Sequence, residues 1–308
     1  MGPVVPPPPL AKRAKRKLRT ALVRAGLALV GLLPASWAGA LGAFAGNLAY
    51  ALAAQERKKA LDSIARAYPE VGEAARRRLA RACFRHLGRC AGELACVAQL
   101  DRAPEAWVEW PAADRQVLDE ALARKKGVVF VSGHIGNWEL LARRVALAGY
   151  PAQTIAKETT DEGLTRLVER FRASGRLKTL WRGQEGAAKA MLRSLKGGEI
   201  LGMLIDQDTQ VQSVFVPFFG VLAATPRAAA DLALRTGAAV VMGFCKRGPA
   251  GRYALSCREL PLPSSGDGEA DAVALTAAMT REIELAIRQA PEQWVWMHRR
   301  WRTRPQGG

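Results

Sequence analysis

Between Ala25 and Ala54 the chain carries no charged residue, and Pro34 divides the run into a short apolar piece and a longer Ala/Gly-rich one. A stretch of that length reaches or crosses a bilayer core. Ahead of it stand a proline run, Pro6 to Pro9, expected to be extended, and then Lys12, Arg13, Lys15, Arg16, Lys17, Arg19 and Arg24. Arg57, Lys58 and Lys59 follow it. Positive charge on both flanks favours a membrane anchor over a cleaved signal peptide or a buried soluble hairpin. The anchor is either a dipping hairpin bent at Pro34 or a span with basic ends at the headgroups. Gly42 and Gly46 form a G-x-x-x-G step that permits close helix packing.

Residues 57–100 change to a helical period. Leu61, Ile64, Ala65 and Tyr68 precede Pro69, and Leu79, Cys83, Leu87, Cys90 and Leu94 follow it, on helices whose other faces are strongly basic. From Gly127 short apolar runs alternate with amphipathic stretches. Strands are expected at Val128 to Ser132, Gln153 to Ala156, Ile200 to Ile205 and Ala239 to Cys245. Helices are expected at Asn137 to Ala148, Asp161 to Ser174 and Gln184 to Leu195, with another opened by Thr225 as cap and Pro226 as first residue. Strands buried on both faces and separated by helices predict an α/β fold with a mostly parallel sheet. The pattern divides the chain into a basic tail (1–24), an anchor segment (25–54) and a main domain (55–308), itself helical over 55–126 and α/β over 127–308.

Charge narrows the partners. Lys and Arg number 46 against 28 Asp and Glu, a formal net charge of +18, so the surface favours anionic lipid, an acidic carrier protein or nucleic acid. No zinc finger, RRM or helix-turn-helix signature is present, which argues against nucleic acid. The five cysteines, Cys83, Cys90, Cys96, Cys245 and Cys257, contain no C-x-x-C pair, so neither a zinc site nor a disulfide framework is expected. They read as reduced, buried thiols.

Only three histidines are available, His86, His134 and His298, and His134 is the best placed. It follows the strand VVFVS and Gly133, precedes Gly136, and has Glu139 five positions later, where a helix starts. Active sites of parallel sheets are built at such strand ends. On one regular helix that spacing would leave the two side chains about 140° apart, at roughly 100° per residue. A glycine-containing turn between strand and helix is therefore needed to fold the carboxylate back onto the imidazole. A carboxylate on one ring nitrogen leaves the other as a base toward a substrate hydroxyl, with no protein nucleophile required. SGH is not the G-x-S-x-G elbow of serine hydrolases, so an acyl-enzyme on Ser132 is the lesser reading.

SGHIGNWE resembles the H-x-x-x-x-D/E block of lysophospholipid and lipid A acyltransferases, and more closely the bacterial lipid A lauroyl/myristoyl group. The resemblance extends over RKKALDSIARAYPE, IDQD at Ile205 to Asp208, VFVPFFG at Val214 to Gly220 and PEQWVWMHRRWRTRP from Pro291. It implies a glycerol-phosphate-acyltransferase-like fold on the cytoplasmic face of the inner membrane. It also implies His134 as base, Glu139 as its partner, acyl carrier protein as donor and an anionic glycolipid as acceptor, without metal or cofactor. The same dyad acting on a lysophospholipid or other amphiphile is the alternative.

Asp206, Gln207 and Asp208 are expected to border the pocket, Phe218 and Phe219 to wall the acyl chain, and Lys157, Arg299 and Arg300 to meet anionic groups. Ser63 and Lys157 stand where the family commonly has Asn and Arg. Lysine keeps the charge at that position but loses the bidentate fork.

Overall fold

The computed structural model describes residues 10–158 and 161–305. The proline run expected to be extended, and Thr159 and Thr160 of the IAKETTD block, lie outside them.

Six helices open the chain: α1 (Leu10–Val30), α2 (Ala35–Leu52), α3 (Ala54–Ala67), α4 (Glu73–Ala95), α5 (Val97–Leu100) and α6 (Pro104–Trp107). The alternating part follows as β1 (Val108–Glu109), α7 (Ala112–Ala123), β2 (Val128–Ser132), α8 (Trp138–Leu147), β3 (Ala152–Lys157), α9 (Glu162–Ser174), β4 (Lys178–Arg182), α10 (Ala187–Lys196) and β5 (Ile200–Leu204). A hairpin of β6 (Ser213–Phe218) and β7 (Val221–Pro226) comes next, then α11 (Ala228–Thr236), β8 (Ala239–Arg247), β9 (Tyr253–Leu260), α12 (Gly268–Gln289) and a 3₁₀ turn at Pro291–Gln293.

Seven strands form one sheet in the order β1-β9-β8-β2-β5-β3-β4. The run from β8 to β4 is parallel, and β9 lies antiparallel against β8. The α/β expectation is met: β2, at the centre, is buried at all five positions, as a strand with helices over both faces must be.

Near Thr225 the structure departs from expectation. Thr225 and Pro226 do not open a helix; they end β7, and α11 begins two residues later behind Arg227. VFVPFFG pairs with that strand as a hairpin. Phe219 and Gly220, with φ of 52° and 73°, form the two-residue turn that right-twisted hairpins favour. The left-handed conformation at Phe219 is held by its N–H, which donates to Glu284 Oε2 at 2.6 Å.

The uncharged N-terminal run is two helices, and the 24/25 boundary falls inside α1. Among the described residues no single helix is long and apolar enough to cross a membrane; only α2 and α3 qualify together, bent by 91°. The small residues of α2 serve another purpose. Gly42 lies against the Gly88 carbonyl and Gly46 against the Phe84 carbonyl, so closely that a Cβ at either would collide with α4. The G-x-x-x-G step thus packs α2 onto α4 within the chain. The opposite stripe of α2, Trp37, Leu41, Phe44, Leu48 and Leu52, is exposed, as are Leu18, Leu22 and Leu29 of α1.

Candidate active site

Parallel pairing of β2 with β5 aligns Ser132 with Leu204. Two residues beyond each lie His134 and Asp206, so the sheet register itself brings them together. Asp206 Oδ1 stands 2.8 Å from His134 Nδ1, and Oδ2 accepts the His134 backbone N–H at 2.7 Å and the Trp294 indole N–H at 2.8 Å. Asp206 is buried, while the His134 side chain stays 21% exposed. Burial alone would push the Asp206 carboxyl up. The facing imidazole and three donated hydrogen bonds outweigh it and bring the value down to about 2. Asp206 is therefore a fixed anion.

An Nδ1–H held by that anion leaves Nε2 with a free lone pair. The ring is further fixed by Trp138, whose edge-on indole lies 5.0 Å away between centroids. Gln207 Nε2 approaches His134 Nε2, the other ring nitrogen, at 3.4 Å.

Glu139 does not meet His134. It sits in the first turn of α8, where Asn137 caps the helix by accepting the Leu140 N–H at 3.1 Å, and it faces α9 instead. There Arg172 grips it through Nε at 3.0 Å and Nη2 at 2.6 Å. The expected fold-back fails because the turn between strand and helix is itself pinned. Gly136 donates to the Gln293 carbonyl, Asn137 donates to the Cys245 carbonyl, and both distances are 2.9 Å. Gly136 has φ of 61°, and a Cβ there would strike the Cys245 carbonyl. Only glycine fits both demands.

Helix α4 braces the same turn from below. His86 Nε2–H donates to the Gly136 carbonyl at 3.0 Å, and burial lowers the affinity of that imidazole for a proton. Cys83 donates to the Trp294 carbonyl at 2.9 Å. All five cysteines are free and buried. Burial pushes the Cys83, Cys90 and Cys257 thiols up to about 12, far from thiolate chemistry.

The other expected site residues separate. Lys157 is exposed at the end of β3, the strand beside β5. Asp208 ties down the C-terminal segment: it accepts the Thr303 N–H at 2.6 Å and hydroxyl at 3.0 Å, faces Arg302 at 3.3 Å, and donates its own N–H to His298 Nε2 at 3.0 Å. Phe218 and Phe219 are packed among Trp294, Trp296 and Trp301 rather than lining an open groove. Arg300 is fully buried, donating to the Ala224 carbonyl and the Thr225 hydroxyl, whereas Arg299 is exposed.

Sequence reasoning singled out IDQD but not Asp206 as the partner of His134; it counted His298 and placed Trp294 in the C-terminal block without giving either a role at the site, and it did not single out Arg172. The available signal was an acid directly after a predicted strand, close to the position His134 takes after its own.

Fold and site together define a class: α/β proteins with a buried carboxylate–imidazole pair at the C-terminal edge of a parallel sheet. Residues 10–303 match the model of the bacterial lipid A biosynthesis acyltransferases. The chain is 30% identical over 275 residues to the lipid A biosynthesis lauroyltransferase of Escherichia coli, covering 87% of this chain and 86% of that one. It is 28% identical to the palmitoleoyltransferase of the same organism over 67% of this chain and 65% of that one. It is also 26% identical to a phosphatidylinositol mannoside acyltransferase of Mycobacterium tuberculosis, over 60% and 57%. The chain belongs to the bacterial lipid A biosynthesis acyltransferase family.

Proposed function

We propose that this enzyme moves a fatty acyl group from an acyl carrier protein thioester to a hydroxyl of a lipid A precursor or related glycolipid, with His134 as general base. The observation that carries the reading is the Asp206–His134 contact, which ties Nδ1 of a solvent-reachable imidazole to a buried carboxylate and leaves Nε2 as the ring nitrogen to act on a substrate. In the first step the acceptor hydroxyl gives its proton to Nε2 as its oxygen attacks the thioester carbonyl. The imidazolium that forms is stabilised by the Asp206 anion. Collapse of the tetrahedral intermediate breaks the carbon–sulfur bond, and the departing thiolate takes the proton back from Nε2. Gln207 must yield its place beside Nε2 and is then poised to hydrogen-bond the incoming hydroxyl. Glu139, tied to Arg172, holds α8 on α9 and so supports the turn that carries His134.

The acceptor class rests on the relatives' names. Their names give different acyl chains, lauroyl in one and palmitoleoyl in another, within the same lipid A biosynthesis. An acidic carrier and an anionic glycolipid suit a chain of net charge +18. The exposed apolar stripe on α2, with that of α1, suits helices lying in the interface of the cytoplasmic leaflet rather than spanning it.

The purified enzyme is expected to acylate a phosphorylated glucosamine disaccharide from acyl carrier protein, and His134→Ala to abolish this while still binding anionic vesicles. Mass spectrometry of lipid A from a strain lacking the gene should show one missing acyl chain. Unchanged lipid A, or wild-type turnover by His134→Ala, refutes the reading.

A further inference from the structure

A cavity of about 350 Å³ opens between α3 and the C-terminal segment, and His134 is not among its lining residues. Six cations line it, Lys59, Arg66, Arg299, Arg300, Arg302 and Arg304, against one carboxylate, Asp62. Part of this charge is already balanced. Lys59 pairs with Glu56 at 2.7 Å, Arg302 with Asp208 at 3.3 Å, and Asp62 is itself held by Lys58 at 2.8 Å. Arg66, Arg299 and Arg304 have no carboxylate within 4 Å among the described residues.

Two of the lining side chains also carry donors without a partner. Arg300 and Trp301 each keep a buried N–H, Nε and Nε1, without a hydrogen-bond partner. Arg66 lies over the Trp301 ring, 5.9 Å from its centroid, which holds one guanidinium at the rim. A concave surface with this excess of charge and donors recognises a compact, multiply hydrogen-bonding anion, and guanidinium forks match phosphate oxygens best.

The cavity is also coupled to the reacting centre. Arg302 touches Asp208, whose N–H donates to His298, and the Ser63 hydroxyl from α3 reaches the His298 carbonyl at 3.4 Å. Asp208 lies two residues from Asp206.

We propose that this cavity binds a phosphate ester of one of the two substrates and so sets that substrate's register against His134. The proposal rests on the acyl-transfer reading for its ligand. Two sources carry the chemistry: the phosphate on the glycolipid acceptor and the phosphodiester of the carrier's pantetheine arm.

The test measures KM for each substrate with the full chain and with Arg66→Ala/Arg299→Ala. Loss of a charge-assisted hydrogen bond to phosphate is expected to raise KM for the phosphate-bearing substrate by at least about tenfold. The doubly lysine-substituted chain should recover much of it. If the acceptor is the source, phosphatase-treated acceptor shows the raised KM in the wild type and no further rise in the variant. If the carrier is the source, acyl-pantetheine with and without its phosphate shows that pattern instead. Arg299→Glu alters an exposed position only and provides the same reading should the double variant fail to fold. Both KM values unchanged in a variant that melts like the wild type overturns the proposal. Titration of inorganic phosphate onto the full chain keeps the two readings separable. Phosphate binding that Arg299→Glu abolishes upholds the cavity even if no acyl transfer is found, and its absence overturns the cavity even if transfer is confirmed.

Discussion

Replacing Asp206 by Asn removes one acceptor from a site where three donors converge, and the geometry says which bond is lost. Oδ2 receives two N–H groups, from the His134 backbone and Trp294, at 2.7 and 2.8 Å, while Oδ1 faces only His134 Nδ1. An amide has a single oxygen. Placing it at the Oδ2 position keeps two bonds and turns the NH₂ toward Nδ1; the reverse keeps one bond and leaves two donors facing a donor. The first arrangement wins, and it is satisfied only if Nδ1 becomes the acceptor. The imidazole proton then sits on Nε2, where the substrate hydroxyl needs a base. A correctly placed general base contributes roughly 10² to 10⁴ in rate. We expect kcat to fall about 10³-fold, or roughly 4 kcal/mol of transition-state stabilisation, with KM for both substrates nearly unchanged. Steady-state release of carrier thiol gives the rate. Nitrogen-15 NMR of the His134 ring gives the tautomer, expected to change from Nδ1–H to Nε2–H. Turnover within tenfold of wild type, with the proton still on Nδ1, would refute the reasoning.

Other expectations follow from the surrounding contacts. Glu139→Ala and Arg172→Ala should each lower stability by about 2 to 4 kcal/mol, because each leaves a largely buried charge unpaired; urea denaturation of the double variant should show far less than the sum. Additive losses would mean that the pair does not act as one. Gly136→Ala forces a side chain into a left-handed turn and against the Cys245 carbonyl, and a loss of several kcal/mol is expected; a melting temperature within about 2 °C of wild type in calorimetry contradicts this. Burial lowers the proton affinity of both His86 and His298 in the folded chain. The unfolded chain therefore binds more protons just below about pH 6.5, so stability should decline as the pH falls through that value. Unfolding free energies that stay flat from pH 7.5 to 5 would count against neutral, buried imidazoles.

Much of the architecture was legible before any coordinates. The apolar runs at Val128 to Ser132, Ile200 to Ile205 and Ala239 to Cys245 are strands because β-branched and aliphatic residues without polar alternation suit a sheet covered on both faces. The helices expected at Asn137 to Ala148, Asp161 to Ser174 and Gln184 to Leu195 have those spans to within a few residues, and His134 was identifiable as an imidazole at a strand end. The family likewise follows from motifs in order along the chain. What the sequence could not contain was strand order. Asp206 meets His134 because β5 lies beside β2 in a register that aligns Ser132 with Leu204, and no local pattern specifies which of several strands is the neighbour. Glu139 is close in sequence but faces Arg172 on α9 instead, because Gly136 is pinned to the chain at Cys245 and Gln293, more than a hundred residues away. The same holds for Gly42 and Gly46. Their spacing announced a close helix contact, but only packing against α4 decided that the partner was this chain, leaving the opposite stripe of α2 open. Local propensities choose elements; the choice of which side chains meet belongs to long-range pairing.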